Sequence, residues 1–391
     1  MSSPQRNNGD RPVSDAIVMS GWSWETANVP ERIALALSQL GAKILYCENP
    51  SSRLRTTASE IKEIQPGIFR LRPQFLGHRL NRLHLGLDRL QARMIAAQVQ
   101  KAAAKLELKD PFFIYPHGDF FVPLCREFKE RGFPLVHCCF DYPEQGQDRH
   151  IKLSDYTLTL SRSIFHQLRA KYGSKIAIIP QVRWLDGGEA QKKGAAEPGD
   201  FPAIPKPRLG YIGLVSNRLN LTVLHELLVS HSDWHFLHFG DSKCLPLPNV
   251  HTIEWRDPAN LDDLVASLDV GFMPYNCYNN KDFHCMPLKV FDYFNAGIPV
   301  VSTPIVNLWE YSNTIYFGDT AEELAIAAVR ALGEPADSPR KSLRRDIAKR
   351  QSIATLAESL SRILFSSQSG PSDAVDEGAH FESVGLHDER E

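Results

Sequence analysis

Residues Pro287 to Ser302 read PLKVFDYFNAGIPVVS. Val290, Phe291 and Phe294 recur at helical spacing, so the first half predicts a helix with one face on a core. Ala296 and Gly297 predict its end, because glycine accepts the left-handed backbone that a helix C-terminus often needs. Pro299 to Val301 then begins a short apolar strand. Lys289 and Asp292 fall in the first turns of the helix, where free N–H groups and the dipole favour anions. A lysine adds a charge for a phosphate. A carboxylate one turn on can accept hydrogen bonds from sugar hydroxyls. The pair therefore suits a nucleotide-sugar; the plainer alternative is a surface lysine and a helix-start aspartate stabilised by the dipole.

The same stretch resembles the donor-site signature of GT-B glycosyltransferases. Within them it is most similar to family 4-like enzymes with P-x-K-x-x-E-Y-x-A-x-G-x-P-V-V, including teichuronic acid biosynthesis glycosyltransferases. The lysine placement is also similar to that of xanthan-type glucuronosyltransferases. The resemblance runs over most of the chain and is strongest from Arg208 to Thr303. It implies an α/β GT-B fold: two Rossmann-like doubly wound domains facing a cleft, with a C-terminal helix crossing back to the first domain. It also implies a metal-independent glycosyltransferase acting in bacterial surface polysaccharide synthesis. The donor would be a nucleoside-diphosphate sugar, with no further cofactor, and the acceptor a glycan or a lipid-linked sugar. Many family 4 enzymes carry two glutamates eight positions apart; here those positions hold His284 and Asp292. Asp292 keeps a carboxylate for ribose hydroxyls. His284 does not, so the resemblance leaves inverting and retaining transfer both open. Two rival readings stand beside it. One is a nucleotide-sugar epimerase of GT-B fold, which would leave the arginines between Arg70 and Arg93 without a role. The other is a non-catalytic nucleotide-sugar-binding protein, which a histidine at 284 would suit.

Composition sets outer bounds. The chain has 391 residues, room for two or three domains of about 150 residues each. With 43% hydrophobic and 23% charged residues it matches folded proteins and not disordered ones. A net charge of −2 argues against a nucleic-acid binder. Seven cysteines at no repeated spacing predict no disulfide framework and suit a reducing cytoplasm. The leader MSSPQRNNGDRPVSD lacks the apolar core of a signal peptide, and no run of about 18 apolar residues occurs. The expectation is a cytoplasmic protein, placed by the resemblance at the inner face of the plasma membrane.

Outward from the motif, Ala16 to Met19 predicts a first parallel strand, followed by a helix over Ile33 to Leu40 and a second strand at Ile44 to Cys47. This βαβ opening implies a doubly wound sheet, whose ligands sit beyond the carboxyl ends of the strands. Gly21 and Trp22 then face the cleft, as acceptor-side residues. No G-x-G-x-x-G turn follows the strand, which weakens a dinucleotide reading. Strands at Phe112 to Tyr115 and Pro134 to Cys139 end in the polar clusters Pro116-His117-Gly118-Asp119 and Phe140-Asp141-Tyr142. By resemblance Asp141 is the first choice for a catalytic base and His117 the second; the plain alternative for each is a loop hydrogen bond. Arg208 to Ile212 predicts the first strand of the second domain, with Gly213 and Arg218 in the loop after it. Glycine lets the backbone approach a phosphate and arginine pairs with it bidentately, though an ordinary turn would look the same.

Leu80, Leu83, Leu87, Leu90 and Met94 predict a helix, set among Arg70, Arg72, Arg79, Arg82, Arg89 and Arg93. The arginines read either as a solvated face or as a surface for anionic lipid headgroups or an acceptor pyrophosphate. His137-Cys138-Cys139 and His284-Cys285 lack metal-ligand spacing, so no metal is expected. Trp22, Trp24 and Tyr275 suit stacking on sugar or base, or simple packing. The predicted organisation is a first domain over 13–185, a linker at 186–207, a second domain over 208–340, a crossing helix within 341–366 and a disordered tail over 367–391.

Overall fold

The computed structural model describes residues 13–21, 23–24, 28–51, 60–75, 87–116, 118, 121–140, 147–183, 204–213, 215–240, 244–253, 261–277 and 283–365. The expectations for Trp22, His117, Asp141, the tail and most of the linker lie outside them.

The first sheet has eight strands: β1 (Ala16–Met19), β2 (Ile44–Cys47), β3 (Lys62–Gln65), β4 (Ile68–Leu71), β5 (Phe112–Pro116), β6 (Leu135–Cys139), β7 (Tyr156–Thr159) and β8 (Ile176–Ile178). Their order is β3-β4-β2-β1-β5-β6-β7-β8, parallel throughout except for β3 against β4. The central strands β1, β2, β5 and β6 are buried at every position, as near-continuous apolar runs require when helices cover both faces. Those helices are α1 (Val29–Gln39), α2 (Leu87–Lys105), α3 (Phe121–Glu130), α4 (Gln147–Leu153) and α5 (Arg162–Tyr172). Asn28 caps α1 by accepting the Glu31 N–H at 3.0 Å, which satisfies one of the helix's orphan donors.

The second sheet has six parallel strands: β9 (Arg208–Ile212), β10 (His235–Phe239), β11 (Val250–Ile253), β12 (Val270–Met273), β13 (Val300–Ser302) and β14 (Ile315–Phe317). Their order is β11-β10-β9-β12-β13-β14. Helices α6 (Leu221–Ser230), α7 (Leu261–Ala266), α8 (Lys289–Ala296) and α9 (Ala321–Leu332) accompany it. Chain direction across each sheet reverses once near its centre, between β1 and β5 in the first and between β9 and β12 in the second. Such switch points open a crevice beyond the carboxyl ends of the strands.

Two sequence expectations are corrected, and one pair of strands was not anticipated. The stretch read as one crossing helix is two, α10 (Pro339–Lys349) and α11 (Ile353–Leu364). Ile347 and Ala348 of α10 belong to the second domain's core. Leu356, Leu360 and Leu364 of α11 are buried in the first domain's core, beside Ile33 and Leu37 of α1; each such leucine contributes about 1.5–3 kcal/mol. The break falls where Ser352 accepts the Thr355 N–H at 3.1 Å and starts a new helix. In α2 the buried face is Ala92, Ile95, Ala96, Val99 and Ala102, while Leu90 is 47% exposed. Small alanines let the helix lie close to the sheet, and Leu90 is not on its inner face; Leu80, Leu83 and the Leu87 side chain lie outside the described residues. Finally, β3 and β4 form a hairpin that no alternation announced, because Lys62, Glu63 and Gln65 are exposed on an edge strand.

Candidate functional site

At the β9/β12 switch point two loops are laced together. Leu219 bridges to Tyr275 in antiparallel fashion. The Asn220 N–H donates to Pro274 O at 2.8 Å, and the Asn276 N–H donates to Arg218 O at 2.6 Å. The loop carrying Gly213 and Arg218 is thereby held on the end of β12. Helix α8 is tied to β9 by one side chain: the Tyr293 hydroxyl donates to Gly210 O at 3.0 Å and accepts from the Ile212 N–H at 3.1 Å. At its far end Gly297 adopts φ 77°, ψ 10° and returns its N–H to the last turn, the left-handed cap expected of it.

Lys289 is the first residue of α8. The residue as a whole is half-buried, but its ammonium lies inside the protein. Nζ stands 3.5 Å from the centroid of the Tyr211 ring and 5.4 Å from that of Tyr275. A cation over an aromatic face is attracted by the ring quadrupole. Burial nevertheless pushes the Lys289 pKa well below the lysine range; Arg218 lowers it further, and the Cys285 thiol and Asp292 carboxylate act the other way. Burial also pushes the Tyr211 hydroxyl up to about 12, so the ring under the amine stays neutral.

Gly213 takes φ +123°. A Cβ there would sit 3.1 Å from Lys289 Nζ. The Gly213 N–H is already donated to Phe239 O at 3.0 Å, and its carbonyl lies 2.6 Å from His238 Nε2. The glycine therefore clears space for the lysine amine. Gly213→Ala forces an L side chain into this backbone region, at a cost of about 1–3 kcal/mol. Its expected outcome is a lower denaturation midpoint, read by thermal denaturation.

The structure brings Gly213, Arg218, Lys289 and Asp292 to one end of the second sheet. Asp292 is 3% exposed, and its carboxylate and the Arg218 guanidinium both lie near enough to Lys289 to act on its charge. Gly21 lies apart from these, at the end of β1 on the first sheet's crevice, where a Cβ would meet nothing within 4 Å. Trp24 packs edge-on against Tyr46 at 4.9 Å, and Tyr275 is 5% exposed; both are packing residues. His284 Nδ1 lies 2.9 Å from Ser163 Oγ of the first domain. Tyr211 and His238 carry no signal in the sequence, since each reads as one residue of a buried strand. The arginine stretch is partly neutralised: Arg70 and Arg72 face Glu48 at 3.8 and 2.9 Å, and Arg93 pairs with Glu127 at 3.0 Å. Among the described residues no cluster of three metal-ligating side chains occurs, and no helix is long and apolar enough to cross a membrane.

No protein-family model matches the chain. Over 158 residues it is 30% identical to TuaH of Bacillus subtilis, named as a teichuronic acid biosynthesis glycosyltransferase; the match covers 37% of this chain and 39% of that protein. The chain thus spans well under half the length of this relative. Among solved structures, the α,α-trehalose-phosphate synthase (UDP-forming) of Burkholderia vietnamiensis superposes with a TM-score of 0.64 at 11% identity, over 89% of this chain and 98% of that one. The E. coli trehalose-6-phosphate protein bound with UDP-2-fluoro glucose gives 0.63 at 13% identity, over 90% and 100%. The overlays run along nearly the whole chain, and with its two largely parallel, doubly wound sheets this protein has the GT-B fold.

Proposed function

We propose that this protein is a glycosyltransferase. It takes a sugar from a nucleoside-diphosphate sugar at the β9/β12 crevice and passes it to a glycan or lipid-linked acceptor at the first domain's crevice. The role is in bacterial surface polysaccharide synthesis. One observation carries the reading: the Lys289 ammonium is held at the start of a helix, in the space Gly213 leaves, at a sheet's switch point. Such a group is suited to an anion with several oxygens. Partial identity to a named teichuronic acid glycosyltransferase and the overlay on UDP-forming synthases support the same substrate class.

In this proposal transfer leaves negative charge on the departing diphosphate, and Lys289, Arg218 and the helix dipole stabilise it. Asp292 holds donor hydroxyls. A base must take the acceptor proton if the reaction inverts; Asp141 is assigned that part and His117 stands second. Gly21 and Trp22 border the acceptor, no metal or further cofactor is required, and the work is done on the cytoplasmic side. Contact with an anionic membrane face falls to Arg89 and the exposed Leu90 at the start of α2.

The test is a thermal-shift panel of UDP-, GDP-, ADP- and dTDP-sugars on wild type, Asp292→Ala and Asp141→Asn. A ligand at about 100 times its Kd stabilises the fold by about 2.7 kcal/mol. One nucleotide class is expected to stabilise wild type and Asp141→Asn but not Asp292→Ala, with transfer lost in both variants. A folded wild type that responds to none of them would falsify the reading.

A further inference from the structure

Asn307 is 5% exposed and lies in a short 3-10 turn, Val306–Tyr311, in the second domain. Its side chain reaches residues of both domains. Oδ1 accepts the Ser163 N–H at 3.1 Å. Nδ2 donates to Ser161 Oγ and to His284 O, both at 2.8 Å, and to Cys285 O at 3.1 Å. Ser161 and Ser163 begin α5 of the first domain; His284 and Cys285 lead directly into α8.

The capping arithmetic of α5 explains why this contact is specific. A helix start leaves several N–H groups without intrahelical partners. Ser161 satisfies one of them, the Ile164 N–H, at 3.2 Å. The Ser163 N–H is satisfied from across the domain boundary, by Asn307. Around this joint Ser161 Oγ donates to His284 O at 3.2 Å, His284 Nδ1 meets Ser163 Oγ at 2.9 Å, and Arg162 Nε donates to Glu310 Oε2 at 2.8 Å. The residue at the position where the resembling enzymes have a glutamate is thus part of a domain joint.

We propose that Asn307 is a positioning residue: it completes the cap of α5 across the boundary and so sets the distance between the Lys289 helix and the first domain's crevice. This rests on the reading that a group passes between the two crevices. Asn307 touches no substrate in this role. It acts through 284–285, the segment that feeds α8.

Asn307→Asp tests it. The variant keeps size and shape, and one oxygen can still accept from Ser163. The other can no longer donate, and it faces the carbonyl oxygens of His284 and Cys285. Expected is a larger radius of gyration by solution X-ray scattering and UDP binding as in wild type, since Lys289, Gly213 and Arg218 all lie in the second domain. UDP release from UDP-glucose should slow on the order of 100-fold, the effect of a misplaced reacting group. An unchanged radius with unchanged turnover overturns the proposal. Loss of UDP binding at an unchanged radius overturns it too, because Asn307 would then shape the donor crevice itself. A wild type that neither binds UDP nor releases it counts against a uridine donor alone; the radius comparison still decides the role of Asn307. If Asn307→Asp does not fold, Asn307→Ser, too short to span all four partners, must show the same wider radius for the proposal to stand.

Discussion

Lys289→Met is expected to abolish the stabilisation by nucleotide while leaving the unliganded protein as stable as wild type or more so. The two effects have opposite signs for one reason. Without an anion, the ammonium is held among Tyr211, Tyr275 and the packed end of β9, with its charge disfavoured by burial. A methionine of similar length fills the space and removes that penalty. In the proposed donor complex the same ammonium would make a charge-assisted bond in a desolvated site, and its loss would cost about 2–4 kcal/mol, roughly 30- to 1,000-fold in affinity. The pH dependence has a definite direction. The folded pKa of Lys289 is depressed, so between that value and the unfolded value of about 10.4 the unfolded chain binds more protons. Stability of the unliganded protein should therefore rise with pH through this window, and Lys289→Met should flatten the rise. Denaturation midpoints of both proteins across pH, with and without UDP, read all of this. An equal UDP response in the variant would remove Lys289 from the site.

Arg344→Leu is expected to be the most destabilising change, by about 3–5 kcal/mol. Arg344 of α10 is fully buried. It forms a bidentate pair with Glu334, one arm at 3.0 Å, and donates to Gly297 O at 3.0 Å and Thr314 O at 3.4 Å. Tyr316 adds a bond to Glu334 at 2.9 Å. Gly297 is the cap of α8, so this arginine satisfies a carbonyl at one end of the helix whose other end is Lys289. Removing it strands a carboxylate and two carbonyls together. The double variant Arg344→Leu, Glu334→Leu should recover much of the loss, because replacing both partners of a buried pair is far cheaper than removing one. Burial raises the Glu334 carboxyl pKa, but the Arg344 bonds outweigh it and hold the value below the usual range. A depressed carboxyl adds stability above its unfolded pKa that is lost as pH falls through the folded one. The acid limb of stability should therefore be shallower in the double variant. Chemical denaturation followed by a probe in the second domain measures each of these differences.

Much of the frame was legible in the chain itself. The motif from Pro287 to Ser302 carries its own helix, stop and strand, because apolar spacing and a left-handed glycine are local properties. The apolar runs at Ala16, Ile44, Phe112, Arg208 and Val270 announce parallel strands for the same reason, and Lys289 could be singled out by its place at a helix start. Edge hairpins such as β3–β4 stayed hidden because an exposed strand carries no apolar alternation. What surrounds Lys289 was hidden as well: Tyr211 and Tyr275 lie far from it along the chain, and only the β9/β12 pairing brings their rings beneath one amine. Gly213 could be picked as a loop glycine, but its use emerged only when its φ and the lysine's approach were known. The joint at Asn307 is the extreme case. Ser161, Ser163, His284 and Asn307 are ordinary residues in ordinary loops, and they become one unit because two separately folded sheets present them to each other. Local spacing was enough to place most strands and helices and to mark one helix start for a cation; what desolvates that cation, and what joins the two sheets, emerged only on folding, since burial and interdomain contact depend on residues far apart along the chain.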